Sequence, residues 1–323
     1  MHIRDGFLTP DVCLGTGMLA VGALAWSVRQ LRNSLADRTV PLTGMTASLI
    51  FAGQMVNFAL PPLPVSGHLL GGVLAAALLG PWAGCVAISL VLIIQLALFY
   101  DGGWTVLGAN IVNMGIVGTW GGYAIYTALR NLLGTERRGT LIAAFLASWL
   151  SVMAAATVFC LEFWLSHRGQ GYDFSRIFGV MVFLHCLIGI GEGLITAMVL
   201  GFVLVQRPDL LAPRTAAPTV LSGVGRFVFA GIIAALGVAS FLAPFASEHA
   251  DGLEAAAEQT GFSDLGTVTR VLILDDYQIP ALKDYPGLST AGAGIIGTLV
   301  VLGAAWALVG LVKRSRMPAS PKS

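Results

Sequence analysis

Nine stretches of 17 to 28 mostly apolar residues limit what this chain can fold into. They cover 11–30, 42–60, 66–82, 84–100, 106–130, 139–165, 178–205, 222–245 and 290–312, with polar or glycine- and proline-containing connectors between them. About 20 apolar residues form a helix long enough to cross bilayer hydrocarbon. Composition agrees: 56% of the residues are hydrophobic and 11% charged, against roughly 25% charged in a soluble domain. The pattern predicts an all-α polytopic membrane protein, a seven-helix bundle followed by two helices. The third and fourth stretches are short and divided only by GPWAG, which points to a tight hairpin or a partly re-entrant pair. The 40 glycines suit close helix packing in lipid.

Lys and Arg near helix ends set orientation. With nine alternating helices, thirteen fall on one side: Arg29, Arg32, Arg38, Arg130, Arg137, Arg138, Arg207, Arg214, Arg226, Lys313, Arg314, Arg316 and Lys322. Five fall on the other: Arg4, Arg168, Arg176, Arg270 and Lys283. The positive-inside rule then puts the N-terminus outside and the C-terminus in the cytoplasm. Pro-rich RPDLLAPRTAAPT reads as a linker. It divides the chain into residues 1–211, a cytoplasmic linker at 212–221, and a two-helix part at 222–323 with an external loop over 246–288. That loop carries eight acids against Arg270 and Lys283. The first ten residues hold Arg4, Asp5 and Pro10, unlike a cleaved signal peptide. The bulky second residue favours retention of Met1.

Polar groups in hydrocarbon are costly unless paired, so each needs a reason. His68, in PVSGHLLGG, fits a hydrogen-bonded histidine at a helix start. That is the favoured reading from the residues alone; the other is a metal ligand facing the same side as His2. Gln54 with Asn57, and Asn110 with Asn113, are spaced three apart and share helical faces. Such amides bond neighbouring helices, or fix a ligand imidazole or the N-terminal loop. Glu192, inside HCLIGIGEGLITA, either marks an ion path or anchors a helix, and His185 lies seven residues before it on roughly the same face. Asp101 reads as a turn residue, and His167, beside Arg168, as solvated.

Several function classes lack their residues. Net charge is +1, which gives no basic balance for nucleic acid. Cys13, Cys85, Cys160 and Cys186 stand singly, without CxxC. There is no HExxH, no GxxxxGK[ST] and no GxSxG, so zinc proteolysis, P-loop ATP hydrolysis and the nucleophile-elbow hydrolases have no footing. A membrane-embedded metalloenzyme using His68, His185 and Glu192 is an alternative. It requires those three to converge.

Four segments in order, MHIRDGFLTP, PVSGHLLGGVLAAALLGPWAG, YDGGWTVLGANIVNMG and HCLIGIGEGLITAMVLGFVLVQRPDLL, resemble the CbiM/NikM family. Its members are substrate-capture components of energy-coupling factor transporters for cobalt or nickel. The part from 219 to 316 resembles the NikN-type partner, with ADGLEAAAEQTGF similar to its PDGLE motif and Ala250 in place of the proline. The resemblance implies a fused capture protein. Its ligands are the Met1 amine, the His2 amide and Nδ1, and His68, and the cargo is Ni²⁺ or Co²⁺. It implies partners as well: a membrane coupling subunit of EcfT/CbiQ/NikQ type and a cytoplasmic ATPase of CbiO/NikO type. Four nitrogens in a plane suit nickel and copper, and copper binds such ligands more tightly. Asp5, Asn110 and Asn113 are candidates to brace the site, and the acidic loop is a candidate to concentrate cations.

Overall fold

A computed structural model describes residues 1–211, 223–267 and 274–315. The linker expected at 212–221, together with Arg270, Arg316 and Lys322, lies outside the described residues. Eleven α-helices account for nearly all the regular structure among the described residues. Six helices there are long and apolar enough to cross a membrane. The chain is a multi-pass membrane protein.

Helix α1 (Pro10–Ser34) begins at a proline, whose missing N–H costs nothing in a first turn. It presents Leu14, Met18, Leu19 and Val21 outward, each more than 60% exposed, as a lipid-facing surface does. Helices α2 (Thr39–Gln54) and α4 (Pro81–Ile94, continued as a π-helical turn to Phe99) lie inside the bundle. Helix α5 (Leu107–Asn110) runs through a π-helical stretch, Ile111–Gly121, into α6 (Gly122–Leu133). The long helices α7 (Arg137–Ser166) and α8 (Phe174–Gln206) pack along each other. Helix α9 (Val224–Gly237) and helix α11 (Pro286–Arg314) both pack on α2. Small residues make that approach possible. A Cβ on Gly297 would stand 2.1 Å from the Phe51 ring, and Ser48 Oγ donates to the Thr298 carbonyl at 3.2 Å.

The third expected helix, 66–82, is only half helical. A short antiparallel pair, β1 (Phe58–Ala59) with β2 (Ser66–Gly67), turns the chain back, and residues up to Gly71 are non-helical before α3 (Gly72–Leu79). Eight helical residues cover about 12 Å, too little for a hydrocarbon core of about 30 Å. The stretch before them supplies the rest of the reach. Irregular backbone at such depth survives only where protein satisfies its polar groups, and here the Glu192 carboxylate accepts from Leu70 N at 2.6 Å and Gly71 N at 3.0 Å.

The described part of the acidic loop, residues 246–267 and 274–288, is not a solvated tether. Asp251 and Glu254 form a reciprocal capping box that starts α10 (Gly252–Thr260). Leu253, Ala255, Ala256 and Ala257 are buried, and α10 packs on α8. This second part closes over the end of the bundle where the chain begins.

Helix α3 touches the π-helical stretch through backbone: a Cβ on Gly72 would lie 2.5 Å from the Gly118 carbonyl. Overpacking against backbone costs roughly 1–3 kcal/mol. Gly72→Ala is expected to lower the melting temperature in detergent, whereas Gly121→Ala, with nothing within 4 Å, leaves it unchanged. Equal melting of both variants would contradict this packing.

Candidate metal-capture site

The first nine residues do not trail into solvent. Met1, His2, Ile3, Asp5, Phe7 and Leu8 are all buried. Asn110 pins Ile3 from both sides, its Oδ1 accepting from Ile3 N at 2.8 Å and its Nδ2 donating to Ile3 O at 3.2 Å. The Asp5 carboxylate accepts from Trp104 N at 3.0 Å, Thr105 N at 2.8 Å and the Thr105 hydroxyl at 2.5 Å. Gly6 sits at φ +92°, where a side chain is strained, and a Cβ there would strike the Leu265 carbonyl. The loop thus bends between the bundle and the segment around α10, the lid, and Thr267 N donates to Asp5 O at 2.8 Å.

A second segment brings His68 to the same place. Gln54 Nε2 donates to Leu70 O at 3.0 Å, while Glu192 holds the next two amides. The His68 Nδ1 donates to the Leu69 carbonyl at 3.0 Å, and its Nε2 accepts from the Met1 ammonium at 2.5 Å. Fixing one ring nitrogen on a backbone carbonyl aims the lone pair of the other, as in metal-ligating histidines.

The Met1 ammonium also donates to Asp251 Oδ2 at 2.6 Å, and that oxygen lies 3.8 Å from His68 Nε2. Arg4 pairs with Glu254 on the same lid. The His2 ring stacks on His68, centroids 5.1 Å apart and planes 17° from parallel. His2 Nδ1 faces Asp101 Oδ1 at 3.0 Å, and the other oxygen of Asp101 accepts from the Tyr277 hydroxyl at 2.7 Å. Above the rings opens a cavity of about 350 Å³ lined by His2, His68, Asp101, Asp251, Glu254 and Tyr277 among others.

Burial disfavours charge on the His2 imidazole and lowers it, against an opposing pull from Asp101. For Asp251, burial acts to raise the carboxyl, but the adjoining ammonium, His68 and the Glu254 amide together outweigh it and hold Asp251 well below the usual carboxylate range. The site therefore holds two ion pairs, Met1 with Asp251 and Arg4 with Glu254, beside the histidine rings.

Met1, His2 and His68 stand together, with Asp5 and Asn110 bracing the N-terminal loop. Asn113 is turned elsewhere and donates to Glu162 Oε2 at 2.8 Å. The three-residue spacing from Asn110 no longer keeps one face, because π-helical bonding begins at Ile111 and widens the turn. Glu192 anchors the His68 segment through both carboxylate oxygens. His185 lies in the wall of a small neighbouring cavity. His167 is buried, and its Nε2 donates to the Phe7 carbonyl at 3.0 Å, so the expectation of a solvated residue is corrected. Asp251, Asp101 and Tyr277 are site residues that sequence reasoning missed. Only the PDGLE-like motif signalled Asp251.

A multi-pass helical membrane protein whose Met1 amine is buried between a histidine and an aspartate, the aspartate arriving from a second unit, defines the class. The family model for the cobalt uptake substrate-specific transmembrane region, CbiM, matches residues 2–210, and that for the PDGLE domain matches 225–314. The chain belongs to the CbiM family. It is 37% identical over 311 residues to an Archaeoglobus fulgidus protein named as a fused nickel transport protein NikMN, covering 95% of this chain and 98% of that one. It is 35% identical over 227 residues to the fused nickel transport protein NikMN of Rhodobacter capsulatus, covering 67% of this chain and 65% of that one. A crystal structure of a transition metal transporter superposes with TM-score 0.56 at 30% identity, over 65% of this chain and 94% of that one. These are transport proteins, and the metalloenzyme alternative is set aside.

Replacing Asn110 with alanine removes both bonds to Ile3. Hydrogen exchange is expected to show faster exchange at the Ile3 amide in Asn110→Ala than in wild type, with the amides of α7 unchanged. Undiminished protection would mean that the loop is held some other way.

Proposed function

We propose that this chain captures a divalent transition metal, Ni²⁺ or Co²⁺, at the extracytoplasmic face. It then delivers the ion across the membrane as the substrate-specific component of an energy-coupling factor importer. The observation that carries the reading is the Met1 amine, buried within reach of the His68 Nε2 lone pair and the Asp251 carboxylate. A nitrogen that binds a proton there binds a metal ion once the proton leaves. The names of the relatives, nickel and cobalt transport proteins among them, support that cargo.

In this reading the Met1 amine, the deprotonated His2 amide and His2 Nδ1 close fused five- and six-membered chelate rings, and His68 Nε2 completes the plane. His2 Nδ1 now faces Asp101, so loading turns that ring toward the amine. The ion also releases Met1 from Asp251. The lid, the described residues 246–267 and 274–288 of the two-helix part at 222–323, covers the capture unit at 1–211. Thirteen of eighteen Lys and Arg on the opposite side support an outer site and a cytoplasmic C-terminus. Energy comes from separate subunits, a membrane coupling protein and a cytoplasmic ATPase.

Adding one residue before Met1 displaces the amine and leaves every side chain in place. Equilibrium dialysis of the purified chain is expected to show Ni²⁺ affinity reduced about 100-fold or more by that extension and by His68→Ala. Stoichiometric binding retained in both would refute the site.

Metal binding competes with protons at its ligands. The amine and the imidazole of the chelate must both be free of protons to bind the ion, so Ni²⁺ affinity, followed by the same dialysis, is expected to fall as the pH is lowered from about 7.5 to 5.5. An affinity that ignores pH over that range would contradict capture by nitrogen ligands.

A further inference from the structure

Asp101 stands at a turn, and its carboxylate is held from two sides. It follows Tyr100, at φ +59°, where the π-helical turn Gln95–Phe99 ends, and its amide donates to the Gln95 carbonyl at 3.2 Å. Next comes Gly102, at φ +103°, where a Cβ would stand 3.0 Å from Asn110 Nδ2 and 3.8 Å from His2 Cβ. The turn is thereby laid against the N-terminal loop, and Asp101 Oδ1 meets His2 Nδ1 at 3.0 Å. The other oxygen, Oδ2, accepts from the Tyr277 hydroxyl at 2.7 Å, and that hydroxyl accepts from Gln95 Nε2 at 3.1 Å. Tyr277 is itself fixed. Its ring stacks on Phe99, centroids 4.6 Å apart and planes 15° from parallel, and Leu274 N donates to the Leu98 carbonyl at 3.1 Å. One carboxylate oxygen is braced by the lid and by α4, so the other is aimed at His2.

We propose that Asp101 is a positioning residue that holds the His2 ring in reserve in the empty protein, so that each arriving ion must win Nδ1 from it. This rests on the capture reading above. A carboxylate oxygen has no proton to give, so the Nδ1 that faces it at hydrogen-bond distance carries one. The chelate needs that same atom bare and turned to the amine. One nitrogen cannot donate to Asp101 and bind the ion at once. The contact therefore opposes loading and favours return of the ring when the ion leaves. On loading, the Nδ1 proton passes to water in the cavity of about 350 Å³ that both residues line. Tyr277 keeps the carboxylate aimed, which gives residues 274–277 an influence on capture separate from the contact of Asp251 with the amine. A hydrogen bond to a charged group shifts an equilibrium by about tenfold or more.

The test uses the full chain in lipid nanodiscs, with Ni²⁺ as the probe and stopped-flow absorbance to follow loading. Asp101→Ala is expected to load about tenfold faster than wild type. Asp101→Asn keeps an oxygen facing Nδ1 and is expected to fall between the two. A residue that merely braced the loop would act with the opposite sign, and its loss would slow loading. Nitrogen-15 spectra of the empty wild-type protein, labelled in histidine, are expected to show a protonated His2 Nδ1, assigned by its absence from His2→Ala. A bare Nδ1 there, or loading of Asp101→Ala no faster than wild type, would overturn the proposal. Should Asp101→Ala fail to fold, Tyr277→Phe decides: it leaves the carboxylate in place but releases its aim, and loading no faster than wild type would equally overturn the proposal. His68→Ala and the one-residue extension before Met1 separate the two readings. If both bind Ni²⁺ as wild type does, the capture reading itself fails. If both lose it while Asp101→Ala gains no speed, only the role of Asp101 falls.

Discussion

The Met1 ammonium, buried against His68 Nε2 and Asp251 Oδ2, is the interaction on which the rest of the structure depends. A chain terminus is ordinarily frayed and solvated, and a buried charge is tolerated only when paired and hydrogen-bonded. Holding an ammonium here requires the first nine residues to be tied down, a histidine to be brought within reach and a carboxylate to cover it. Each of these demands is met by a different part of the chain. Asn110 ties Ile3, Glu192 and Gln54 shape the segment that carries His68, and Asp251 arrives from 250 residues away on the capping box of α10.

The lid is consequently part of the site. Asp251 serves two purposes with its two oxygens, one accepting from the Leu253 and Glu254 amides at the start of α10 and the other from Met1. Arg4 and Glu254 add a second pair between the same two segments. In the proposed cycle a dication arriving at the amine removes the ammonium that Asp251 neutralises. Cargo binding and lid contact are therefore linked through one carboxylate.

The helical architecture was legible because solvent dictates it: apolar stretches of about 20 residues leave few other outcomes. The stretch 66–82 reads as half of a tight hairpin or of a partly re-entrant pair, and where its helix begins was not legible, for an equally physical reason. Its backbone is non-helical up to Gly71 because a carboxylate on α8 satisfies the Leu70 and Gly71 amides, and nothing local in SGHLLGG announces that partner. That Met1, His2 and His68 come together was legible through resemblance to a family, while the residues alone left His68 open between a helix start and a ligand. Asp101 and Tyr277 could not be read, since they meet His2 and each other only through tertiary packing. Asn113 was misassigned because a three-residue spacing implies a shared face in an α-helix and loses that meaning in a π-helical stretch. His167 looked solvated beside Arg168 and is buried because the N-terminal loop folds against it.

The account stands or falls on coordination by the chain's own amine. Cu²⁺ fits the same planar nitrogen set and is paramagnetic, so electron–nuclear double resonance on the Cu²⁺-loaded protein reads its ligands directly. With ¹⁵N introduced only in methionine, the account predicts a strong ¹⁵N coupling from one directly bound amine nitrogen. Strong couplings that appear only when histidine carries the label, with none from methionine, would contradict it.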